Sequence, residues 1–265
     1  MNVLHEHRGP DDSGVWSSKN KNIILGHRRL SIIDTSSSGH QPMVRGSDVI
    51  TYNGEIYNYL EITKKLKALG HNFDSASDTE VLLKAYQEWG ALALNELNGM
   101  FAFVIYDDKR QEIFCARDRF GEKPLLFHRT DDSFIFASEY KAILALEGVS
   151  SKYDQNRIMR FLYHPTQGLD DEMQTCFRDV KQIPPGHYLK LDIKTFQIKI
   201  KRYWDVSPNN QFSKMTEPDA QDYFRELLTD SIKIRMRSDV PLGSCLSGGL
   251  DSSTIVSIAN QLKNP

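Results

Sequence analysis

The longest near-continuous apolar run, MFAFVIY at 100–106, has the length of a β-strand. It meets EIFCAR at 112–117 across Asp107, Asp108 and Lys109, the pattern of a β-hairpin. A half-exposed strand would alternate, so unbroken hydrophobicity predicts a sheet covered on both faces. A second pair, 124–128 and 134–137, brackets Asp131-Asp132, and 23–25 and 49–52 are shorter β-type runs. Residues 59–69 place Ile62, Leu66 and Leu69 at helical spacing and close on Gly70. Ser77 to Glu80 reads S-x-x-E, a capping box. The helix it opens carries Val81, Leu82, Ala85, Tyr86 and Trp89 on one face.

The region from about 150 to 205 is less regular, with Pro165, a Gly-Leu-Asp-Asp turn and Pro184-Pro185-Gly186. Residues 188–191 and 198–204 predict a further β pair. Residues 207–218 are polar and read as a linker. Beyond it Phe224, Leu227, Leu228, Ser231 and Ile234 line one helix face. A short apolar strand at 243–246 is predicted to enter SGGLDSS (247–253) and a last helix.

A chain of 265 residues, 40% hydrophobic and 26% charged, accommodates one large domain or two smaller ones. A net charge of -2 gives no electrostatic reason to expect nucleic acid or a membrane surface. No apolar run is long enough to span a bilayer, and the N-terminus lacks a signal-peptide core. The three cysteines, Cys115, Cys176 and Cys245, form no CxxC and neighbour no histidine at ligand spacing. They fit a reducing, cytoplasmic compartment and structural or inert roles.

Two constellations point to chemistry. The first is SGGLDSS after GSCL. A Gly-rich loop opening a helix cradles phosphate, because free N–H groups and the helix dipole attract anion. Ser247, Ser252 and Ser253 add hydroxyls. The loop lacks the lysine of GxxxxGK[ST], which excludes that motif. Its order matches the pyrophosphate loop of the ATP pyrophosphatase superfamily. The second is spread over HRGPDDSG (7–14), RRLSIID (28–34), Gln41-Pro42, YNGEIYN (52–58), SDTE (77–80) and GMFAF (99–103). Any one is weak. Together, in this order and with SGGLDSS, they resemble the glutamine-hydrolysing asparagine synthetases over essentially the whole chain.

The resemblance implies an α/β (α+β) protein. An N-terminal-nucleophile-type α/β/β/α sandwich occupies 1–206 as a class II glutamine amidotransferase domain. An ATP pyrophosphatase α/β domain begins at 207–265. It also implies roles. Arg29 pairs with the α-carboxylate of glutamine, as a guanidinium fork suits. Asp78, with Glu55 close by, receives the α-ammonium. Asn53 and Gly54 form the oxyanion hole. Leu30, Ile32 and Ile33 wall the pocket. Leu246, Ser247, Gly248, Gly249, Asp251, Ser252 and Ser253 take ATP and its pyrophosphate, Asp251 beside Mg²⁺. The implied substrates are glutamine, aspartate and ATP, and a homodimer is allowed. Read singly, Asn53-Gly54 is equally a type I′ turn, Asp78 a helix-start acid, Arg29 a surface arginine, and Asp251 an acid stabilised by the dipole. His7 and His27 read as structural.

The chain departs from that family in one respect. The family's nucleophile is an N-terminal cysteine followed by glycine, whose own α-amine moves the proton, so an internal cysteine does not substitute. Here the first residue is Met1, a few positions before HRGP. The expectations are truncation at both ends, no glutaminase activity, and a first-domain sheet that lacks a central element and exposes a neighbouring strand. Three alternatives stay open: amidation of another carboxylate, as in polysaccharide or β-lactam synthesis; a non-catalytic glutamine-binding remnant; and a split or misassembled gene.

Overall fold

The computed structural model describes residues 1–169, 172–208 and 212–263, in two compact units, Met1–Asp205 and Val206–Pro265. The centre of the first unit is an antiparallel pair, β4 (Asp48–Ile56) and β5 (Gly99–Asp107). With β3 (Met43–Arg45), β6 (Glu112–Arg117), β10 (His187–Asp192) and β11 (Ile198–Arg202) they form a six-stranded sheet ordered β11-β10-β6-β5-β4-β3. The predicted hairpin is β5–β6, closing at Asp107 opposite Glu112.

The sheet is covered on both faces, as the unbroken run at 100–106 implies. Phe101, Phe103 and Ile105 pack with Ile62 and Leu66 of α1 (Tyr59–Ala68) and Val81, Leu82 and Ala85 of α2 (Asp78–Trp89). The alternate residues Ala102, Val104 and Tyr106 pack with Leu25, Leu125, Phe127 and Leu189. Leu25 lies in β2 (Ile24–Arg29), which pairs with β1 (Asp12–Ser17). Phe127 lies in β7 (Leu126–Arg129), which sits between β8 (Phe134–Ala137) and β9 (Lys181–Gln182). Behind these, Leu126 and Ala137 meet Ala142 and Ile143 of α4 (Tyr140–Leu144). The layers therefore run α/β/β/α. The second β layer comes as two separate sheets, and β2 and β8 each pair along one edge only. Short helices α3 (Ala93–Glu96) and α5 (Gln155–Tyr163) complete the unit.

The second unit holds α6 (Glu217–Arg235) and α7 (Leu250–Lys263). Of α6's predicted face, Phe224 and Leu227 are exposed and Ile234 is buried. No described helix is long and apolar enough to cross a membrane.

Three expectations change, and the turn reading of Asn53-Gly54 falls. Asn53-Gly54 is not a turn: both residues lie inside β4, opposite Ala102 and Phe101. Nine residues of β5 pair with β4, and that ladder outweighs the local turn preference. Residues 243–246 form no strand; the described second unit supplies no partner strand. The polar stretch at 207–218 is partly α6, which starts at Glu217; within it Asn209, Asn210 and Gln211 lie outside the described residues, as do Asp170 and Asp171 of the Gly-Leu-Asp-Asp turn. Ser77 does cap α2, accepting from Thr79 N, but Glu80 does not reach back to Ser77. It accepts instead from Arg45 and the 74–75 backbone, so the box is half made.

Candidate functional site

A cavity of about 740 Å³ opens in the first unit. Arg29, Leu30, Ile32, Ile33, Asn53, Gly54, Glu55 and Asp78 all line it, although they come from three stretches of chain. The fold brings them together because the second half of β4 runs past the start of α2 and the end of β2.

Residues 52, 54 and 56 direct their N–H groups to one edge of β4. Phe101, opposite Gly54, spends its N–H and C=O on Asp118, so Gly54 is not bonded across the β4–β5 ladder. Along that edge Tyr52 N donates to Gln41 Oε1 (2.7 Å) and Ile56 N to Asp78 Oδ2 (3.0 Å). Gly54 N–H, between them, meets no acceptor among the described residues. Asn53 Nδ2 is likewise buried without a partner. Two adjacent donors in the cavity lining thus have nothing to donate to, a costly arrangement in a folded interior. Glycine is required here: a Cβ at position 54 would lie 2.2 Å from Met100 O.

Asp78, the first residue of α2, is buried. Its Oδ2 accepts from the Tyr52 hydroxyl (2.8 Å) as well as from Ile56 N. Burial pushes its carboxyl up to about 6, although these hydrogen bonds and the helix-start N–H groups pull the other way. Glu55 is pushed up by burial and by Asp78, with Lys123 opposing. Burial and the Asp78 carboxylate hold the Tyr52 hydroxyl protonated. The cavity end therefore carries two carboxylates poised to gain from a cation.

Arg29 is buried at the end of β2. Its Nη1 donates to Ser36 O (2.9 Å) and its Nη2 to Ile33 O (3.3 Å) and Asp34 O. The fork closes the 33–36 turn, and Gly39 makes room for it: a Cβ there would lie 2.0 Å from Nη2. Arg29 is thus neither a surface arginine nor a free fork. It faces the cavity while holding the wall formed by Ile32 and Ile33. Asp34 links this turn to α2 through Ala76 N (3.0 Å).

Several lining residues carried no role in the sequence reading. Gln41 bridges Tyr52 N and Thr79 Oγ1. Lys123 and Thr51 also line the cavity. Only Gln41 had a signal, its place in the Gln-Pro pair; nothing in spacing ties it to position 52. His27 lines the cavity, pushed down to about 4 by burial and Arg29, and is neutral. Thr51 Oγ1 donates to Gly26 O and so accepts from His27 Nδ1. His7 is structural: it meets Glu139 (3.0 Å), which also takes Arg8 and Lys141.

No cysteine of the first unit lines the cavity. Cys115 is buried in β6 and burial pushes its thiol far up; Cys176 is also buried. Cys245 is exposed in the second unit.

In that unit Ser247, Gly248 and Gly249 form the loop before α7, and Asp251, Ser252 and Ser253 occupy its first turn. Gly248 has φ +81, which suits glycine, and nothing lies within 4 Å of a Cβ built on it. The Ser247 and Ser252 hydroxyls meet at 3.0 Å, and Gly249 N donates to Ser247 Oγ. Leu246 is 61% exposed. The loop and its first-turn donors suit a phosphate group.

The sequence profile of the glutamine amidotransferase domain matches residues 1–204. The chain belongs to that family. The profile of asparagine synthase matches residues 223–265 of this amidotransferase-family chain. Among curated relatives, asparagine synthetase (glutamine-hydrolyzing) 3 of Bacillus subtilis (strain 168) is 40% identical over 95% of this chain and 40% of its own length. Asparagine synthetase (glutamine-hydrolyzing) 1 of the same strain is 37% identical over 98% of this chain and 40% of its own. Amidase chry2 of Gibberella zeae is 36% identical, over 98% and 38%. The chain thus spans about 40% of the length of these relatives. A solved structure of glutamine phosphoribosylpyrophosphate amidotransferase from B. subtilis matches with TM-score 0.49 and 18% identity, over 90% of this chain and 50% of that one.

Proposed function

We propose that the cavity of residues 1–206 is the glutamine site of a class II amidotransferase domain, and that residues 207–265 begin an ATP-dependent synthetase domain. The observation that carries this is the pair of unpaired donors, Asn53 Nδ2 and Gly54 N–H, at a cavity that two carboxylates also line. A carbonyl oxygen that becomes negative at reaction needs such donors in place beforehand. An α-ammonium group at Asp78 and Glu55 relieves their crowding. Arg29 and the Leu30, Ile32 and Ile33 wall take the rest of the amino acid. Bound so, a glutamine side chain extends from the carboxylates toward Asn53.

This chain's residues bind the amide and stabilise charge on it. Cleavage also requires a thiolate at the cavity, which neither Cys115 nor Cys176 reaches, so the chain binds glutamine without releasing glutamate. In the whole enzyme, ammonia from glutamine converts aspartate to asparagine in a cytoplasmic synthetase. There ATP would activate the acceptor carboxylate by adenylation, releasing pyrophosphate and then AMP on amination, and Mg²⁺ would neutralise the phosphate charge. Leu246, Ser247, Gly248, Gly249, Ser252 and Ser253 would hold its phosphates, and Asp251 would lie beside the cation.

NMR titration with L-glutamine tests the site. The expected result is shifts at residues 52–56 and 78 without glutamate formation. No shift at saturating glutamine, shifts confined elsewhere, or steady release of glutamate would contradict the reading.

A further inference from the structure

The two sheets of the second β layer each leave an edge open, β2 in one and β8 in the other. Ser18 N donates to Ile23 O (2.9 Å) and Thr130 N to Ser133 O (3.0 Å), closing the two hairpins. From those bonds the antiparallel alternation runs on in register. Ile24, Gly26 and Arg28 therefore turn their N–H and C=O groups away from β1, and Phe134 and Phe136 turn theirs away from β7. Among the described residues these groups meet one partner, the Thr51 hydroxyl on Gly26 O (3.3 Å). All five residues line the cavity. Residues 26–30 and 134–138 line it without a gap, whereas a cavity on one face of a strand would touch every second residue. The cavity thus follows both open edges. The six-stranded sheet adds Thr51, Ala102 and Val104. A 3-10 turn, Asn2–Arg8, bridges the edges. Its Asn2 Nδ2 donates to His27 O and Gly14 O (both 3.1 Å), while His7 (3.0 Å) and Arg8 (3.1 Å) meet Glu139 just past β8. His5 of the same turn donates from Nδ1 to Met1 O (3.2 Å), which leaves Nε2 as the acceptor of the neutral ring. That atom is buried without a partner, and His5 lines the cavity.

We propose that this slot binds an extended segment of a second, different polypeptide, which pairs with β2 and β8 at once and joins the two sheets. Open N–H and C=O groups repeating at every second residue on two sides match a polypeptide backbone in strand form. One strand satisfies both rows, which are otherwise left unpaired. The row from Ile24 to Arg28 runs about 13 Å, room for a strand of about five residues. Every strand of this chain is already paired along at least one edge, so a second copy offers none that is free on both. The lining sets the side chains of the occupant. Positions facing Ala102 and Val104 suit apolar, β-branched groups. The positions between them face the 3-10 turn, where a hydroxyl can donate to His5 Nε2. A segment alternating valine with threonine meets both demands. The inference does not rest on the glutamine reading, whose paired donors lie on β4.

The test uses the full chain and the peptide acetyl-Thr-Val-Thr-Val-Thr-Val-amide, with two analogues N-methylated at every threonine or at every valine. Successive residues of a strand send their N–H groups to opposite sides, so each analogue blocks pairing with one edge. Calorimetry reads affinity, and amide hydrogen exchange reads the edges. The parent peptide is expected to bind saturably at one site and to slow exchange at Ile24, Gly26, Arg28, Phe134 and Phe136. Both analogues are expected to bind roughly tenfold more weakly or worse. Ile24→Pro removes one outward N–H and no bond to β1, and is expected to weaken the parent peptide about tenfold. No binding at millimolar peptide would overturn the proposal. Protection of one row alone, or weakening by only one analogue, would show addition to a single edge and overturn it as well. Equal binding of all three peptides would reduce the contact to side chains, against the proposal. Protection of both rows that rises with protein concentration, without peptide, would give the slot to a second copy and overturn the choice of partner.

Discussion

Asp78 carries opposite burdens for folding and for binding. Its carboxyl is raised to about 6 in the fold, from an ordinary value near 4. Between those values the folded chain binds more protons at Asp78 than the unfolded one, so the contribution of Asp78 to stability is full below about pH 4 and is lost as pH rises through about 6. Asp78→Asn keeps an oxygen for Tyr52 OH and Ile56 N while removing the charge. It is expected to raise stability at pH 7.5 by about 2 kcal/mol, read by urea melts, and to remove that pH dependence. It is also expected to weaken glutamine binding at least tenfold. Equal stability of Asp78→Asn and wild type above pH 6 would contradict the burial argument. Single residues were the least legible scale in the sequence. Asp78 alone reads as a helix-start acid and Asn53-Gly54 as a turn; only the order of motifs joined them. Lys123 and Gln41 escaped because hydrogen bonds across the sheet, not spacing, place them at the cavity.

At the scale of elements, patterning succeeded where one residue's choice was shared by many neighbours. The two-sided burial of β5 follows from its unbroken apolar run, and α1 and α2 follow from their helical spacing. β1 was missed because Asp12–Ser17 carries little hydrophobicity of its own. The strand expected at 243–246 failed for the converse reason: apolar residues make a strand only beside a partner. Two substitutions test how these elements hold the site. A Cβ at Gly54 collides with Met100 O and, at 2.8 Å, with Phe101 Cα. Gly54→Ala is therefore expected to cost about 3 kcal/mol or more, or to prevent folding. A melt within about 0.5 kcal/mol of wild type would contradict the packing of β4 on β5. Glu80 is pushed up by burial, but hydrogen bonds from Arg45, Ser75 and Asp74 N outweigh this and hold it at about 2. Its stabilisation is full above its ordinary value of 4.5 and is lost as pH falls toward 2. Glu80→Gln should lose about 2 kcal/mol at neutral pH and flatten the acid limb of stability between those values. An acid limb matching wild type would assign that limb to other carboxylates.

At the scale of the whole molecule, the four layers of the first unit were legible through family resemblance, since strand order across a sheet is set by long-range pairing that local patterning does not encode. The split of the second β layer leaves edges at β2 and β8, and the second unit exposes Phe224, Leu227, Leu242 and Leu250. Exposed edges and apolar faces favour association. Sedimentation is expected to show concentration-dependent oligomers, and limited proteolysis to cut first after residue 205, leaving the cavity-bearing unit whole. Early cuts within β4 or α2, or a strictly monomeric chain at high concentration, would contradict this division. The central claim is that the cavity holds an amino acid by its ammonium group beside a preformed pair of amide donors. Isothermal titration calorimetry of L-glutamine against wild type and Asp78→Asn at pH 7.5 tests it most directly. Saturable one-site binding by the wild type, lost or weakened at least tenfold in a stably folded Asp78→Asn, is the predicted result. No heat with wild type, or equal affinity in the two proteins, would contradict it.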